Sequence, residues 1–340
     1  MMKRLACLLP ALLLPALAAA CAPVPPPEAG PASLQVTATA IPLSTDDPAR
    51  TRVGALEYRG GVHLDSRDPR FGGLSGLRWD RARLLAVSDA GDWFSFNVRE
   101  SGGRLTGVAD VRITRLSGAD GAPLSGKKAG DAEALELVRP CADGNCQPTG
   151  ALVAFEQDHR LWAYDFAGGL PLGRPRPAAL PPAWLSRLPG NGGMEALASG
   201  EGVTLVISES LRTSTGAAVA LVRLGGGDWQ EAAVSVAEGF SPTDAAHLGG
   251  REFLMLSRHY SLMHGIAARL DRLSVEVGDD GRPRIAAVPL AVFAPPLSID
   301  NMEGLAVRRE SGRQFVYLLS DDNFSGLQRT LLMKFEMVRK

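Results

Sequence analysis

Six carboxylates in this 340-residue chain stand where ligands for a hard cation would: Glu133, Glu195, Asp244, Asp300, Asp321 and Asp322. Three of them, with Glu303, open a short motif of acid, small residue and apolar residue: Glu133-Ala134-Leu135, Glu195-Ala196-Leu197, Asp244-Ala245-Ala246 and Glu303-Gly304-Leu305. A fifth copy, Ser75-Gly76-Leu77, has serine in the acid's place. Each motif leads into an apolar run that ends in a polar residue: Asp89 after RLLAVS, Glu156 after ALVAF, Glu209 after VTLVIS, Arg258 after EFLMLS and Asp321 after FVYLLS. Carboxylates brought together repel, and the remedies are bound calcium, an arginine or backbone N–H donors. On one reading, one or more Ca²⁺ ions sit among these acids, where they could hold a phosphate or polarise an ester. On the other, each carboxylate caps the backbone of the next unit and recurs only because the unit recurs. Asp300, Asn301, Asp321, Asp322 and Asn323 form the densest set of oxygen ligands, and such turns are also ordinary hairpin chemistry.

The departures from the repeat are informative. Arg258-His259 replaces the acid at the end of the fourth copy. Arg258 either pairs with a carboxylate or binds a substrate anion, with His259 as a general acid or base near neutral pH. With Glu303 they form the candidate catalytic set; His159 and His264 are weaker candidates. No Gly-x-Ser-x-Gly elbow occurs, which disfavours an α/β-hydrolase.

Elements that could position such residues follow from the spacing. The motifs start at 75, 133, 195, 244 and 303, and a period of this size carrying short strands indicates a propeller or solenoid. Runs such as RLLAVSD, RLWAYDF, VTLVISE and EFLMLSR are strand-like, bounded by Gly, Pro, Asp or Asn. Each repeat reads as a four-stranded meander, so the expected fold is an all-β propeller of five or six blades. The residues left at the two ends add up to one more period, which predicts that strands in 53–64 complete the sheet begun by 330–338. The acids then fall on two circles round the axis, Glu133, Glu195, Asp244 and Glu303 on one and Asp89, Glu156, Glu209 and Asp321 on the other. Residues 168–188 are proline-rich and read as a loop over one face. Residues 261–296 are long enough to hold more than one repeat's outer strands.

Composition is that of an ordinary globular chain, 45% hydrophobic, 21% charged, with a net charge of -1. Electrostatics therefore point to neither nucleic acid nor an anionic membrane as a partner. A monomer is expected. Residues 1–20 have a basic start, an apolar run and small residues at 18–20, the pattern of an export signal. Cys21 follows at once and resembles the acylated cysteine of a bacterial lipoprotein, with simple cleavage as the alternative. Residues 21–50 read as a Pro/Ala-rich tether and 51–340 as the folded domain. Of the remaining cysteines, Cys141 and Cys146 bracket a turn in the lengthened second repeat, and export to an oxidising compartment predicts a disulfide between them.

Gly73-Leu74-Ser75-Gly76-Leu77 with Leu85-Ala86-Val87-Ser88-Asp89, Asn191-Gly192-Gly193-Met194-Glu195-Ala196-Leu197, and Ile299-Asp300-Asn301-Met302-Glu303-Gly304-Leu305 with Leu319-Ser320-Asp321-Asp322-Asn323 carry a family resemblance. Over residues 52–340 the chain resembles the phytase-like family of exported bacterial proteins, described as having esterase-like activity. The resemblance implies a β-propeller and a calcium-assisted phosphoester or ester hydrolase in the periplasm or on the outer membrane. No lysine and arginine set suits a polyphosphorylated substrate, which argues against phytate itself. The alternative function is a non-catalytic envelope propeller that binds a ligand or protein.

Overall fold

The computed structural model describes residues 31–139, 147–261 and 265–338. Short apolar strands separated by turn residues can bury themselves only by stacking sheet on sheet, and here five sheets stack in a ring. Blade 1 runs outward from Leu74–Asp80 through Arg83–Ser88 and Asp92–Ser101 to Arg104–Arg115. Blades 2, 3 and 4 repeat that meander from inner strands Ala132–Val138, Met194–Gly200 and Ser241–Gly249. Blade 5 takes Asn301–Glu310, Arg313–Asp321 and Thr330–Met337 from the C-terminal part of the chain and Leu56–Asp65 from the N-terminal part, the last two pairing antiparallel. The count is five, and the expected closure between the two ends of the chain is present. Residues 261–296 hold no additional blade; they form the long outer strands of blade 4, Gly265–Val277 and Pro283–Phe293.

The core lies between blades. Leu197 and Val206 of blade 3 pack with Ala134, Leu152 and Ala154 of blade 2, for example, and Trp184 fills the same seam. Trp184 belongs to a helical turn, Pro182–Leu185, so residues 168–188 supply the outer strand Leu170–Pro177 and a core plug as well as a connection.

Residues 31–50, read from composition as a tether, are corrected by the structure: they lie on the domain. Ala32–Leu34 adds a fifth strand to blade 1, and Thr37–Ile41 adds an outermost strand to blade 5. Leu43 is fully buried, and Thr45 and Ser298 exchange backbone hydrogen bonds with Pro296 and Leu43 respectively. The small residues that suggested disorder are those of outer strands with one face in water. Cys21, Cys141 and Cys146 lie outside the described residues.

The axis is filled by one side chain. In the inner strands the position after the motif's first residue is Gly76, Ala134, Ala196 and Gly304 in four blades; a Cβ on Gly304 would stand 2.9 Å from the Cβ of Leu77 on the next blade. Blade 4 has Asp244 there, and blade 1 sends Arg78 across to it. Arg78 Nη1 and Nη2 each lie 3.0 Å from a carboxylate oxygen of Asp244, and Nε lies 2.9 Å from Glu136 of blade 2. The guanidinium also donates to the carbonyls of Leu77, Leu197, Ala245 and Leu305. It therefore bonds all five blades. Asp244 accepts in turn from the amides of Leu77 at 3.1 Å and Leu305 at 2.7 Å. Burial opposes the charge on Arg78, but Asp244 and Glu136 outweigh it and raise its pKa. Burial pushes Asp244 up to about 6 in spite of Arg78.

Removing one partner of such a network strands the others in low dielectric, at a cost of roughly 3–5 kcal/mol. Arg78→Met is expected to lower stability by that amount in thermal or urea unfolding, and adding Asp244→Asn should recover part of the loss. A loss below about 1 kcal/mol, the size of an exposed ion pair, would show that strand packing alone holds the axis.

Candidate functional site

A bulge places two residues opposite one and re-aims the extra side chain. Every inner strand has one near its start. Leu74, Met194, Pro242 and Met302 pair with Ser88, Ser208, Ser257 and Ser320, and Ala132 pairs with Phe155. The residues that follow are equivalent: Ser75, Glu133, Glu195, Thr243 and Glu303. The first acidic circle is therefore corrected by one residue in blade 4, where Thr243 and not Asp244 holds the place. Thr243 is buried and donates to the carbonyl of Met302. Asp244 belongs to the axis network with Arg78.

Glu133, Glu195 and Glu303 converge. One carboxylate oxygen from each lies within 4.8 Å of the others, and the same holds for Asp131, Glu133 and Glu156, and for Glu156, Glu195 and Glu209. Shared members join the three groups into one cup of six acids at the end of the ring where the inner strands begin. Ser75 Oγ lies 3.0 Å from Glu133 and 2.9 Å from Glu303. A hydroxyl has one hydrogen, so Ser75 can donate fully to only one of these glutamates at a time. Asn301 donates to Glu303 at 2.7 Å, and Glu156 accepts from the consecutive amides of Gly192 and Gly193. Glycine is needed at 192, where φ is +87° and a Cβ would stand 2.0 Å from Ser210 Oγ. Glu195, 5% exposed, has no hydrogen bond or ion pair among the described residues.

Arg258 reaches into this cup, with Nη2 3.0 Å from Glu209 and Nε 3.3 Å from Glu303. Lys127 stands at the edge, 2.6 Å from Asp131 and 3.1 Å from Asp89. His259 follows Arg258 on an extended strand and so points the other way; it meets the carbonyl of Gly239 at 2.7 Å and the ring of Phe240. His159 binds the carbonyl of Pro189 and packs on Gly193. Asp300 accepts from the amide of Asn301 and pairs with Arg329. Asp322 accepts from the amides of Gly73 and Phe324 and from the Thr330 hydroxyl. For these two the backbone-capping reading describes what is seen. Asp321 accepts from the amide of Asn323, and the charge of Glu303 acts on it. Asp131 was missed because it precedes the motif, and only the fold brings it to Glu133.

Six carboxylates faced by Arg258 and, at the rim, Lys127 leave negative charge in a buried place. Burial, then Glu303 and Asp131, holds Glu133 well above the usual carboxylate range; burial, then Glu133 and Glu209, does the same to Glu195. Burial raises Glu209 although Arg258 opposes it. Burial and the charge of Glu303 push Asp321 up to about 8. The donor set is oxygen alone, which suits a hard cation such as Ca²⁺ or Mg²⁺ and not a thiolate- or imidazole-seeking metal.

Acids whose pKa is raised on folding bind more protons folded than unfolded, so stability falls as pH rises through the interval from their ordinary values to about 8. Cation-free protein is expected to melt at lower temperature at pH 9 than at pH 6, and millimolar Ca²⁺ should recover the difference. Glu195→Gln should flatten this pH dependence and weaken the Ca²⁺ response. A melting temperature that Ca²⁺ leaves unchanged at pH 8 would rule out the cation reading.

No curated protein matches the chain. Among solved structures it is similar to a PQQ-bound aldose sugar dehydrogenase from Streptomyces coelicolor, at 14% identity and a TM-score of 0.42, covering 92% of this chain and 99% of that one. It is also similar to a protein of unknown function from Dyadobacter fermentans, at 12% identity and a TM-score of 0.39, covering 83% and 99%. Scores this low carry no argument about activity. A family model described as "Phytase-like: Esterase-like activity of phytase" matches residues 69–324, well over half of the chain, and takes in every acid of the cup. The chain belongs to this phytase-like family.

Proposed function

We propose that this protein is an exported hydrolase that holds one or more divalent cations, Ca²⁺ in the first place, in the acidic cup and cleaves phosphoesters or other esters there. The observation that carries the reading is Glu195, a buried carboxylate without a hydrogen-bond or ion-pair partner among the described residues, in reach of Glu133, Glu303, Glu156 and Glu209. A carboxylate so placed is costly unless a cation or a proton meets it. Glu133, Glu195 and Glu303 would hold the ion, with Asp131, Glu156 and Glu209 beside them. A bound cation would neutralise charge on the ester oxygens and lower the pKa of a bound water.

The chain's own groups supply the rest. Arg258, the guanidinium inside the cup, orients an anionic oxygen and stabilises charge as it develops. Asp321, whose carboxyl burial and the charge of Glu303 push up to about 8, is the candidate donor of a proton to a leaving alkoxide. Ser75 and Asn301 fix the rotamer of Glu303. Family membership supports the esterase-like activity. The leader and Cys21 support a periplasmic or outer-membrane location with a lipid tether, a proposal that metabolic labelling with a palmitate analogue tests against Cys21→Ala.

The activity is tested with chromogenic phosphate monoesters, phosphate diesters and acetate esters, each with Ca²⁺ and with chelator. The expected result is cation-dependent turnover of at least one class, reduced about a hundredfold by Arg258→Ala, the usual effect of removing one donor to a developing charge. Turnover of none would favour the non-catalytic envelope propeller.

A further inference from the structure

We infer that Tyr260 and Phe324 form an apolar rim over the acidic cup, and that the ester it takes therefore has an aryl or alkyl alcohol portion and not a polyol. The inference rests on the reading of the cup as an ester site and concerns the part of the substrate that lies outside it.

Side chains on an extended strand alternate between its two faces. On Glu252–Ser261, Leu254 and Leu256 pack with Leu305 and Leu318 of blade 5, so the even positions face that blade. Arg258 is the next even position, and it reaches Glu303 of blade 5. Tyr260 follows on the same face, about 7 Å further along the strand, and is 67% exposed. Its partner across the ladder is Ile266, which packs at the edge of the same core between blades 4 and 5. The hairpin can carry this side chain because its ladder runs unbroken to Ser261 and Gly265, whereas in blades 1 and 5 the second strand ends at Ser88 and Asp321.

Phe324 lies on the other side of blade 5, three residues beyond Asp321. Its ring is seated on Gly72 and Gly73, where a Cβ would stand 2.9 and 2.4 Å from it, and the Cβ on Gly73 would also stand 2.1 Å from Asp89 Oδ1. The ring therefore borders the acids. It is 46% exposed and is held out by backbone at φ +49°, a strained conformation for a bulky residue. Among the described residues these two are the only exposed aromatic side chains, and both stand at the end of the ring where the acids cluster.

Aromatic rings left in water beside a site gain by stacking on an apolar group and burying it. A polyol would instead need free hydrogen-bond partners at the rim. Those on the loop that carries Phe324 are engaged: Asp322 with two amides and the Thr330 hydroxyl, Asn323 with Gln328, and Arg329 with Asp300. With its acyl or phosphoryl group beside Arg258, an ester would direct its alcohol portion outward past Tyr260.

The test compares a phenyl ester with the methyl ester of the same acid, phosphate or acetate, using the whole exported protein with Ca²⁺. Tyr260→Ala is expected to lower kcat/KM for the phenyl ester about tenfold relative to the methyl ester, the effect of losing one buried aromatic contact, while Tyr260→Phe keeps the wild-type ratio. Phe324→Ala should lower the same ratio. A merely structural role would slow both esters together, so a ratio that either alanine variant leaves unchanged overturns the inference. Binding is read separately by calorimetric titration of phenylphosphonate and methylphosphonate, which are not hydrolysed. Wild type is expected to prefer the phenyl compound, and Tyr260→Ala to lose that preference. Equal affinities in wild type, or binding of neither, overturn the inference. A phenyl preference that depends on Tyr260 without turnover of any ester would uphold the rim and reject the hydrolase reading, so the two failures are distinguishable.

Discussion

A single guanidinium at the axis sets the limits of everything else in this ring. Arg78 bonds side chains or carbonyls from every blade, and Asp244 of blade 4 accepts amides from blades 1 and 5. A propeller axis is where inner-strand polar groups converge without ladder partners. Small residues solve the problem in four blades by letting backbones approach; in blade 4 an aspartate opens a gap that only a long cation fills. The axis is plugged at this level, and the acids cluster on the side of the plug where the inner strands begin.

The cup's chemistry comes from breaking the five-fold pattern. Uniform acids would make a ring of repelling charge with no direction. Serine in blade 1 and threonine in blade 4 remove two of the five, and Arg258 replaces an acid of the second circle on the same blade as Thr243. The result is an acid-rich site with one guanidinium, that of Arg258, held between Glu209 and Glu303. Polarity of this kind can orient an ester along a defined line, which a symmetric ring cannot do.

Much of this was legible in the chain. The repeat, the closure of the ring by both ends and the convergence of Glu133, Glu195 and Glu303 follow from spacing, because equivalent residues of equivalent blades must meet at an axis. Other features had no local signal. Arg78 is one arginine among many until the fold brings Leu197, Asp244 and Leu305 to it, over a hundred residues away. Thr243 was passed over because aligning on residue type selected the neighbouring acid; only strand register distinguishes a bulge position from the next. Asp300 and Asp322 look like ligands by composition, and backbone amides claim them instead.

The short strands at 32–34 and 37–41 cross the junction where the ring closes, one on blade 1 and the other on blade 5. They are the outermost layer at that junction, and the tyrosine hydroxyl of Tyr58 ties down their end at Ile41. Traction arriving along the leading segment therefore meets this clasp before it meets Leu56–Asp65, the strand whose loss would open the circle. The clasp is thus a layer that has to be peeled away before the ring can open from its N-terminal side.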